Sequence, residues 1–206
     1  MNRRSKSNHW RTNQEKDVFV RRARTEGWRS RAVYKLEEID RRQKLFKPGM
    51  TVVDLGAAPG SWSQYASFRL KGRGRIIALD LLAMDRLPDV EFIQGDFEED
   101  TILDRLMDTL GNRPVDLVMS DMAPNISGMR VVDQPRAMAL AEVARELATN
   151  VVKQGGSFVV KLFHGEGFDQ YVRETRNAFE SVSVKKPAAS RSSSRETYLV
   201  ARNCRV

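Results

Sequence analysis

From about residue 50 onward, short apolar runs alternate with longer stretches in which apolar residues recur every three or four positions. Runs of this length are typical of buried strands, and the recurring positions are typical of helices with one buried face. The predicted strands are Thr51–Leu55, Arg75–Asp80, Val90–Gln94, Val115–Ser120 and residues 157–163. Apolar strands that alternate with helices predict a parallel sheet covered by helices on both faces.

Helices are predicted between these strands. One ends at Leu70, two span residues 99–110 and 167–179, and a long one begins near residues 133–134. We place Pro135 in the first turn of the long helix, where a missing N–H costs little, and two glycines follow the end of that helix.

The last two predicted strands, residues 182–186 and 197–202, have no helix between them and should form a hairpin. A hairpin makes one of its strands antiparallel to the other. We therefore predict an α/β, Rossmann-like fold, with a seven-stranded, mostly parallel sheet, one antiparallel strand and helices on both faces.

The chain before the first strand divides into two parts. Residues 1–28 are predicted to form a basic, extended or poorly ordered arm, and residues 29–206 a single domain. From Ser30, the predicted N-cap, apolar residues recur with helical spacing up to Ile39. The Pro-Gly pair that begins at Pro48 ends this helix.

The positive charge of the chain is concentrated at its N-terminal end. Of a net charge of +8, residues 1–49 carry +9, from 15 Lys and Arg against 6 Asp and Glu. Aromatic residues lie between these cations: Trp10, Phe19, Trp28 and Tyr34. Arginine binds phosphates and aromatic rings stack on bases, so we favour an RNA-binding surface over a solvated tail, a membrane surface or an acidic partner. The candidate RNA contacts are Arg21, Arg22, Arg24, Arg29 and Arg31.

Composition disfavours several classes of protein. No apolar run approaches the roughly 20 residues of a membrane-spanning helix. The polar N-terminus is not a secretory signal, although its Arg-rich, acid-poor composition leaves a transit peptide open. The single cysteine, Cys204, excludes an internal disulfide, and with two histidines a transition-metal site is not expected. We expect a cytoplasmic monomer that needs no metal and no membrane.

The first strand runs into a loop of small residues, DLGAAPGSW at positions 54–62, and then into a helix. This crossover presents backbone N–H groups at the carboxyl edge of the sheet, where ligands bind in such folds. The glycine spacing fits neither a dinucleotide nor a triphosphate loop. Asp80 and Asp96 end the next two strands, where they could bind the ribose hydroxyls and the adenine amino group of an adenosine ligand. One such acid alone would be interpreted as a helix cap. Three acids, Asp54, Asp80 and Asp96, lie at successive strand ends and favour a site for a cationic adenosine derivative.

A lysine interrupts the apolar strand over residues 157–163. Burying the ammonium of Lys161 costs several kcal/mol unless the group is paired or neutral, although a lysine on an edge strand could reach solvent. Asp121 ends the neighbouring predicted strand and could pair with Lys161. Lys35 and Glu196, taken alone, would be interpreted as surface residues.

Five segments resemble the FtsJ/RrmJ-type ribosomal RNA 2′-O-ribose methyltransferases, and the likeness runs from about residue 28 to the end. These segments are SRAVYKL at 30–36, DLGAAPGSW at 54–62, SDMAPN at 120–125, VKLF at 160–163 and SSRETY at 193–198. The resemblance implies a class I S-adenosylmethionine-dependent methyltransferase fold and a substrate in large-subunit ribosomal RNA. Its target would be a ribose 2′-hydroxyl, expected to be that of a uridine in the assembled subunit. It implies a catalytic tetrad of Lys35, Asp121, Lys161 and Glu196. It also implies cofactor contacts at Gly60, Trp62, Asp80, Asp96 and Asp121.

Methyl transfer to a 2′-hydroxyl requires alignment of the hydroxyl and an acceptor for its proton. We hypothesise that Lys161 is the general base, which an amine can be only while it is neutral. Burial and a second cation such as Lys35 favour the neutral amine, whereas Asp121 favours the charged form, so the sequence leaves the protonation state open. Glu196 would position Lys35 or the ribose.

Three other functions stay open at this point. The same chemistry could act on transfer RNA or on the cap region of messenger RNA. The chain could also be a non-catalytic RNA-binding protein that keeps a methyltransferase fold, or a nicotinamide-dependent oxidoreductase. The missing diphosphate loop disfavours the last of these, and the complete tetrad disfavours the non-catalytic protein.

Overall fold

The computed structural model of the protein describes residues 17–97, 99–111, 113–191 and 193–205. Within these residues, seven strands form one sheet in the order β3-β2-β1-β4-β5-β7-β6. The strands are β1 (Thr51–Leu55), β2 (Arg75–Asp80), β3 (Val90–Gln94), β4 (Val115–Ser120), β5 (Val152–Phe163), β6 (Phe179–Lys185) and β7 (Glu196–Cys204). Only β7 is antiparallel to its neighbours in the sheet. The predicted sheet is confirmed.

Six helices lie among the described residues. They are α1 (Val18–Glu26), α2 (Val33–Gln43), α3 (Ser61–Leu70), α4 (Asp100–Leu110), α5 (Arg130–Val151) and α6 (Phe168–Ala178). Their buried side chains form two apolar clusters, with α1, α2 and α3 on one face of the sheet and α4, α5 and α6 on the other. None of these helices has the length and apolar character that crossing a membrane requires.

Neighbouring residues of one strand enter opposite clusters. Val52 packs beneath α1–α3 and Val53 beneath α4–α6, and Leu117 and Val118 of β4 divide in the same way. Side chains of a strand point alternately to its two faces, so a strand covered on both sides is apolar throughout. This two-sided burial explains the continuous apolar runs of the sequence.

The prediction of an extended arm up to residue 28 is wrong for residues 18–26, which form α1. The Asp17 carboxylate accepts a hydrogen bond from the N–H of Phe19 at 3.0 Å, and Gly27, with φ 76°, ends the helix. Ala23 is buried, and the ring of Phe19 lies 5.6 Å from that of Tyr34 on α2. Packing on α2 therefore holds a helix whose sequence is mostly polar. Residues 1–16 of the predicted arm lie outside the described residues.

Two predicted helix starts also differ from the structure. Helix α5 begins at Arg130, which places Pro135 in its second turn, whereas we predicted the first. The carboxylate of Asp133 accepts hydrogen bonds from the N–H groups of Ser127 and Gly128, so this acid stabilises the loop before the helix. Ser30 likewise lies about one turn before α2. Its hydroxyl oxygen accepts a hydrogen bond from the N–H of Ala32, and Ala32 is the N-cap residue of the helix.

Candidate active site

Lys161 lies in the central strand β5, on the face that α1–α3 cover. Only 7% of its side chain is exposed, and its Nζ lies 2.8 Å from Oδ1 of Asp121. The same amine donates a hydrogen bond to the backbone oxygen of Asp121 at 2.7 Å. Because Asp121 directly follows the neighbouring strand β4, the order β4-β5 of the sheet brings these residues together.

Helix α2 and strand β7 bring the other two residues of the predicted tetrad to the same place. The Nζ of Lys35 lies 2.8 Å from Oε1 of Glu196 and 4.0 Å from Oδ1 of Asp121. The side chains of Lys35, Glu196 and Asp121 are between 12% and 16% exposed. The four residues therefore form one chain of alternating charges, of which a narrow part reaches solvent.

Tyr198 belongs to this cluster, and the sequence analysis missed it. Its hydroxyl donates a hydrogen bond to Oδ1 of Asp121 at 2.6 Å, and its ring lies 5.6 Å from the Nζ of Lys35. In the antiparallel pairing of β5 and β7, Tyr198 is directly opposite Lys161. The signal was available, because Tyr198 follows Glu196 by two positions and so points to the same face of the strand.

Ser190 was also missed. Its hydroxyl donates a hydrogen bond to Oε1 of Glu196 at 2.9 Å, and the residue is buried. The loop between β6 and β7 therefore holds the carboxylate that pairs with Lys35. No local sequence pattern distinguishes Ser190 from the neighbouring serines.

The charges of the cluster keep its acid ionised and its phenol protonated. Burial opposes ionisation of Asp121, yet Lys161 and Lys35 outweigh it, so the pKa of Asp121 lies below its ordinary value. Burial, together with the charges of Asp121 and Glu196, raises the pKa of Tyr198 well above its ordinary value. Tyr198 is therefore a hydrogen-bond donor throughout the physiological pH range.

A cavity of about 450 Å³ opens beside the cluster, at the carboxyl edge of the sheet. Asp80, Asp96 and Asp121 line it, together with apolar residues that include Leu81 and Phe97. Its volume lies within the range of small-molecule sites, roughly 300–1,000 Å³. An apolar slot edged by carboxylates suits a ligand that combines a flat ring, hydroxyl groups and positive charge.

Asp54 is a fourth carboxylate near this edge and is fully buried. Its Oδ2 accepts a hydrogen bond from the hydroxyl of Ser63 at 2.6 Å, whereas Oδ1 has no hydrogen-bond partner among the described residues. Burial, with the nearby charges of Asp121 and Asp80, raises the pKa of Asp54 to about 7. Such a group responds strongly to a cation placed near it.

The residues expected to contact a cofactor divide into two groups. Asp80, Asp96 and Asp121 line the cavity, and the Asp80 carboxylate also accepts the N–H of Ala58 at 2.8 Å, which ties β2 to the small-residue loop. Trp62 and Gly60 form the second group and do not line this cavity.

Trp62 and Gly60 instead hold the loop in place. Trp62 is 2% exposed, and its indole N–H donates to the backbone oxygen of Ala32 at 2.9 Å. A Cβ on Gly60 would lie 2.6 Å from Sδ of Met84 and 2.7 Å from Nη1 of Arg29, and Gly60 has φ 101°, so a larger residue would be strained and would displace these side chains. Cofactor contact at these two positions stays a prediction.

The arginines predicted to bind RNA have different surroundings. Arg29 donates hydrogen bonds to the backbone oxygens of Pro59, Asp85 and Arg86, at 2.7–3.0 Å. Arg31 donates to the Asp17 carboxylate and to the backbone oxygen of Ala189. These two arginines therefore stabilise the loops around the candidate site.

The other three arginines lie on α1. Arg22 pairs with Glu26 at 2.7 Å and lies over the ring of Tyr34, while Arg21 and Arg24 are exposed. The structure therefore leaves Arg21 and Arg24 as the members of the predicted set whose side chains are most available to a partner. In the part of the chain that the structure describes, no group of three or more His, Cys, Asp or Glu is arranged to hold a metal ion.

The sheet order with its single antiparallel strand, and the acid-lined cavity at the carboxyl edge, are those of a Rossmann-like domain with a ligand site at that edge. The sequence model of the FtsJ-like methyltransferases matches residues 28–204, and the chain belongs to this family. This finding confirms the resemblance that the five segments carried.

Comparisons with individual proteins support the same family. The chain is 55% identical, over 98% of both sequences, to a protein of Legionella pneumophila named ribosomal RNA large subunit methyltransferase E. Its identity to the Pseudomonas aeruginosa protein of the same name is 53%, over 100% of this chain and 99% of that one. A crystal structure of a Plasmodium falciparum protein assigned as a ribosomal RNA methyltransferase matches with a TM-score of 0.78 and 30% identity. That match covers 86% of this chain and 98% of the other.

Proposed function

We propose that the protein transfers a methyl group from S-adenosylmethionine to the 2′-hydroxyl of a uridine in large-subunit ribosomal RNA, in the assembled subunit. The observation that carries the proposal is the contact of Lys161 with Asp121, closed by Lys35 and Glu196, beside the acid-lined cavity. The names of the Legionella and Pseudomonas relatives support ribosomal RNA as the substrate.

The arrangement around Lys161 suits a proton acceptor once the amine has released the proton that makes it a cation beside Asp121. A neutral amine has two hydrogens and one lone pair, and Asp121 offers two acceptors, its Oδ1 at 2.8 Å and its backbone oxygen at 2.7 Å. With both hydrogens engaged, the lone pair would be free to accept the proton of a 2′-hydroxyl while that oxygen bonds to the methyl carbon and the electrons of the broken methyl–sulfur bond stay on sulfur. The charge left on Lys161 would then be stabilised by the adjacent carboxylate.

The cavity has the hydrogen-bond acceptors and negative charges that the cofactor requires. When bound, S-adenosylmethionine would supply an electrophilic methyl group on a positively charged sulfur. Asp80 and Asp96 would accept hydrogen bonds from the adenosine part, and Asp54 and Asp121 would balance its positive charges. The unsatisfied Oδ1 of Asp54 is consistent with a positively charged ligand nearby.

Lys35 and Glu196 act on the substrate side of the cluster in this proposal. Their ion pair at 2.8 Å fixes both side chains, each of which is 12% exposed. A ribose placed beside them would meet a donor on Lys35 and an acceptor on Glu196. These contacts would hold the 2′-hydroxyl in line for transfer, which is how positioning lowers a reaction barrier.

One comparison of substrates tests the proposal. The protein is incubated with methyl-labelled S-adenosylmethionine and, in parallel, with intact large subunits, protein-free large-subunit RNA and transfer RNA, all from cells that lack the activity. We expect label in the large subunits and little or none in the other two. Label in transfer RNA alone would overturn the substrate, and no label in any RNA would favour a non-catalytic protein. Tight binding of NAD instead of S-adenosylmethionine would indicate an oxidoreductase.

A further inference from the structure

A second cavity, of about 900 Å³, lies at the opposite edge of the sheet from the tetrad. It is bounded by the starts of β1, β2 and β5 and by the end of the antiparallel strand β7. Strand β4, with six residues, separates the two edges by roughly 20 Å at a rise of about 3.3 Å per residue. The methyl-transfer cluster therefore leaves this cavity without a role.

The charge of this cavity is strongly positive. Its lining contains one acid, Asp116, and six cations: Lys47, Arg73, Arg75, Arg113, Lys153 and Arg202. Five of these six cations belong to residues 50–206, which as a whole carry a net charge of −1, so the charge of the cavity differs from that of the surrounding chain. This basic cavity is therefore suited to an anion, whereas the acid-lined cavity at the carboxyl edge is suited to a cation.

Half of these cations stabilise the fold. Arg75 pairs with Glu91 at 2.6 Å, Lys153 pairs with Asp116 at 2.7 Å, and Arg202 donates to the backbone oxygen of Gln43.

The remaining three, Lys47, Arg73 and Arg113, are exposed. Within the described ranges none of these three side chains forms an ion pair at 4.0 Å or less, although the charge of Arg113, after that of Arg75, helps to lower the pKa of Glu91. Three exposed cations around one cavity form a surface for several phosphates.

We propose that this surface, which we call the amino-edge cleft and define by Lys47, Arg73 and Arg113, binds the phosphate backbone of a base-paired segment of the substrate RNA. Recognition of single-stranded RNA uses aromatic rings on which bases stack, and the described lining contains no aromatic residue. A helical backbone requires only cations and shape. The inference rests on the proposed RNA substrate and adds a second contact about 20 Å from the target nucleotide.

Charge reversal at the cleft tests the proposal. The combined variant Lys47→Glu, Arg73→Glu, Arg113→Glu is compared with Arg105→Glu, Arg173→Glu, Arg176→Glu, which changes three exposed arginines on α4 and α6 by the same total charge. We expect the first variant to raise the Kd for protein-free large-subunit RNA at least about tenfold and to reduce the salt slope by about 2–3. The control should change that Kd less than about threefold. Affinity for S-adenosylmethionine should stay at the wild-type value in both.

Short RNAs then test the base-paired segment. The cleft variant should lose more affinity for a duplex of about 20 base pairs than for a single strand of about 12 nucleotides, since a double-stranded site spans roughly 16 base pairs. Equal losses in the two triple variants, or an equal loss for duplex and single strand, would contradict the proposal. A loss for intact subunits without a loss for free RNA would indicate a protein partner and would also overturn it.

A second variant and a methylation measurement distinguish a failure of folding or of the proposed function from a failure of the proposed cleft. If the charge-reversed protein does not fold, the variant Lys47→Gln, Arg73→Gln, Arg113→Gln is judged by the same criteria, with a smaller expected loss. Methylation of intact large subunits by the wild-type protein is measured in the same series of experiments. Its absence would contradict the proposed function, whereas its presence with unchanged RNA affinity in the cleft variant would contradict the cleft alone.

Discussion

At the scale of single residues, Asp121 contacts three groups of the candidate active site. Its Oδ1 is 2.8 Å from the Nζ of Lys161 and 2.6 Å from the hydroxyl of Tyr198, and Lys35 is at 4.0 Å. A half-buried carboxylate needs such partners to stay ionised. The same partners fix its orientation, so a change at one of them should displace the others.

The first prediction concerns Tyr198→Phe, which removes the hydroxyl and keeps the ring. We expect turnover to fall roughly 10- to 100-fold, because a hydrogen bond to a charged group contributes about 1.5–3 kcal/mol and here orients Asp121. The matched control is Tyr171→Phe. It removes another buried hydroxyl, which donates a hydrogen bond to the backbone oxygen of Ala141 at 2.7 Å in the apolar cluster on the other face of the sheet. The control should lose stability and retain turnover. Equal turnover in the two variants, measured at saturating substrates, would show that Tyr198 has no positioning role.

The second prediction concerns Asp54→Asn and pH. Burial raises the pKa of Asp54 to about 7 from an ordinary 3.8, so between these values the folded state holds a proton that the unfolded state has lost. This group therefore makes the wild type less stable as pH rises from about 4 to about 7.

Asparagine lacks that titration. The stability of Asp54→Asn relative to wild type should increase by roughly 3 kcal/mol between about pH 4.5 and about pH 8. Urea unfolding of both proteins at the two pH values measures the difference. A constant difference would mean that Asp54 does not titrate in this window.

At the scale of elements, the small-residue loop between β1 and α3 helps to shape the acid-lined cavity of about 450 Å³. A Cβ on Gly56 would lie 2.4 Å from Cγ of Met122 and 3.1 Å from its Cα, and Gly56 has φ 72°. The loop after β1 and the loop after β4 therefore touch through a glycine. Their contact forms part of the cavity wall.

The third prediction compares Gly56→Ala with Gly72→Ala. Gly72 has nearly the same φ, 68°, but no atom within 4 Å of its Cβ position, so its variant carries backbone strain of about 1 kcal/mol and no clash. Gly56→Ala should in addition displace Met122 and weaken the binding of S-adenosylmethionine at least about tenfold. Calorimetric titration and thermal melting of both variants measure these effects. Similar affinities in the two variants would contradict the role given to this loop.

The sheet could be predicted from sequence because its signal is local. Strands buried on both faces are continuous apolar runs, and the helix-free connection before β7 predicted the antiparallel strand. Helix α1 was missed because its apolar positions, such as Phe19 and Ala23, are few and its stability comes from packing on α2. The start of α5 was misplaced because Asp133 and Pro135 resemble helix-start signals while the acid serves the preceding loop.

The site was only partly predictable for a related reason. A lysine within an apolar strand indicated Lys161 directly, and Asp121 followed from the end of the neighbouring strand. Lys35 and Glu196 came from the family resemblance, since their pairing depends on how α2 and β7 meet in three dimensions. Ser190 has no local signal, because its role arises from a loop that folds back onto Glu196.

At the scale of the whole molecule, charge is arranged along the strand direction. Carboxylates gather at the carboxyl edge around the cavity of about 450 Å³, and cations gather at the amino edge around that of about 900 Å³. The basic helix α1 lies on the face that carries Lys35 and Lys161. An RNA whose ribose reaches the tetrad could therefore contact α1 near the target and the amino-edge cleft further away.

The fourth prediction separates the arginines of the N-terminal region. The double variant Arg21→Glu, Arg24→Glu should weaken binding to large-subunit RNA several-fold and leave the melting temperature within a few degrees of wild type, because both residues are exposed. Arg29→Ala should instead lower the melting temperature, since Arg29 donates to three backbone oxygens. Filter binding and thermal melting of both variants make the comparison. An Arg29→Ala variant with an unchanged melting temperature and weakened RNA binding would show that Arg29 contributes to the RNA-binding surface.

The central claim is that Lys161 lies at a site that methylates a ribose 2′-oxygen, and the position of the new methyl group tests it most directly. Large subunits are treated with labelled S-adenosylmethionine and wild-type protein or Lys161→Ala, and the RNA is digested to nucleosides for mass spectrometry. We predict labelled 2′-O-methyluridine with the wild type and at least about a thousandfold less with Lys161→Ala, at unchanged cofactor affinity. Label on a base, or wild-type turnover by a Lys161→Ala protein that binds the cofactor normally, would contradict the account.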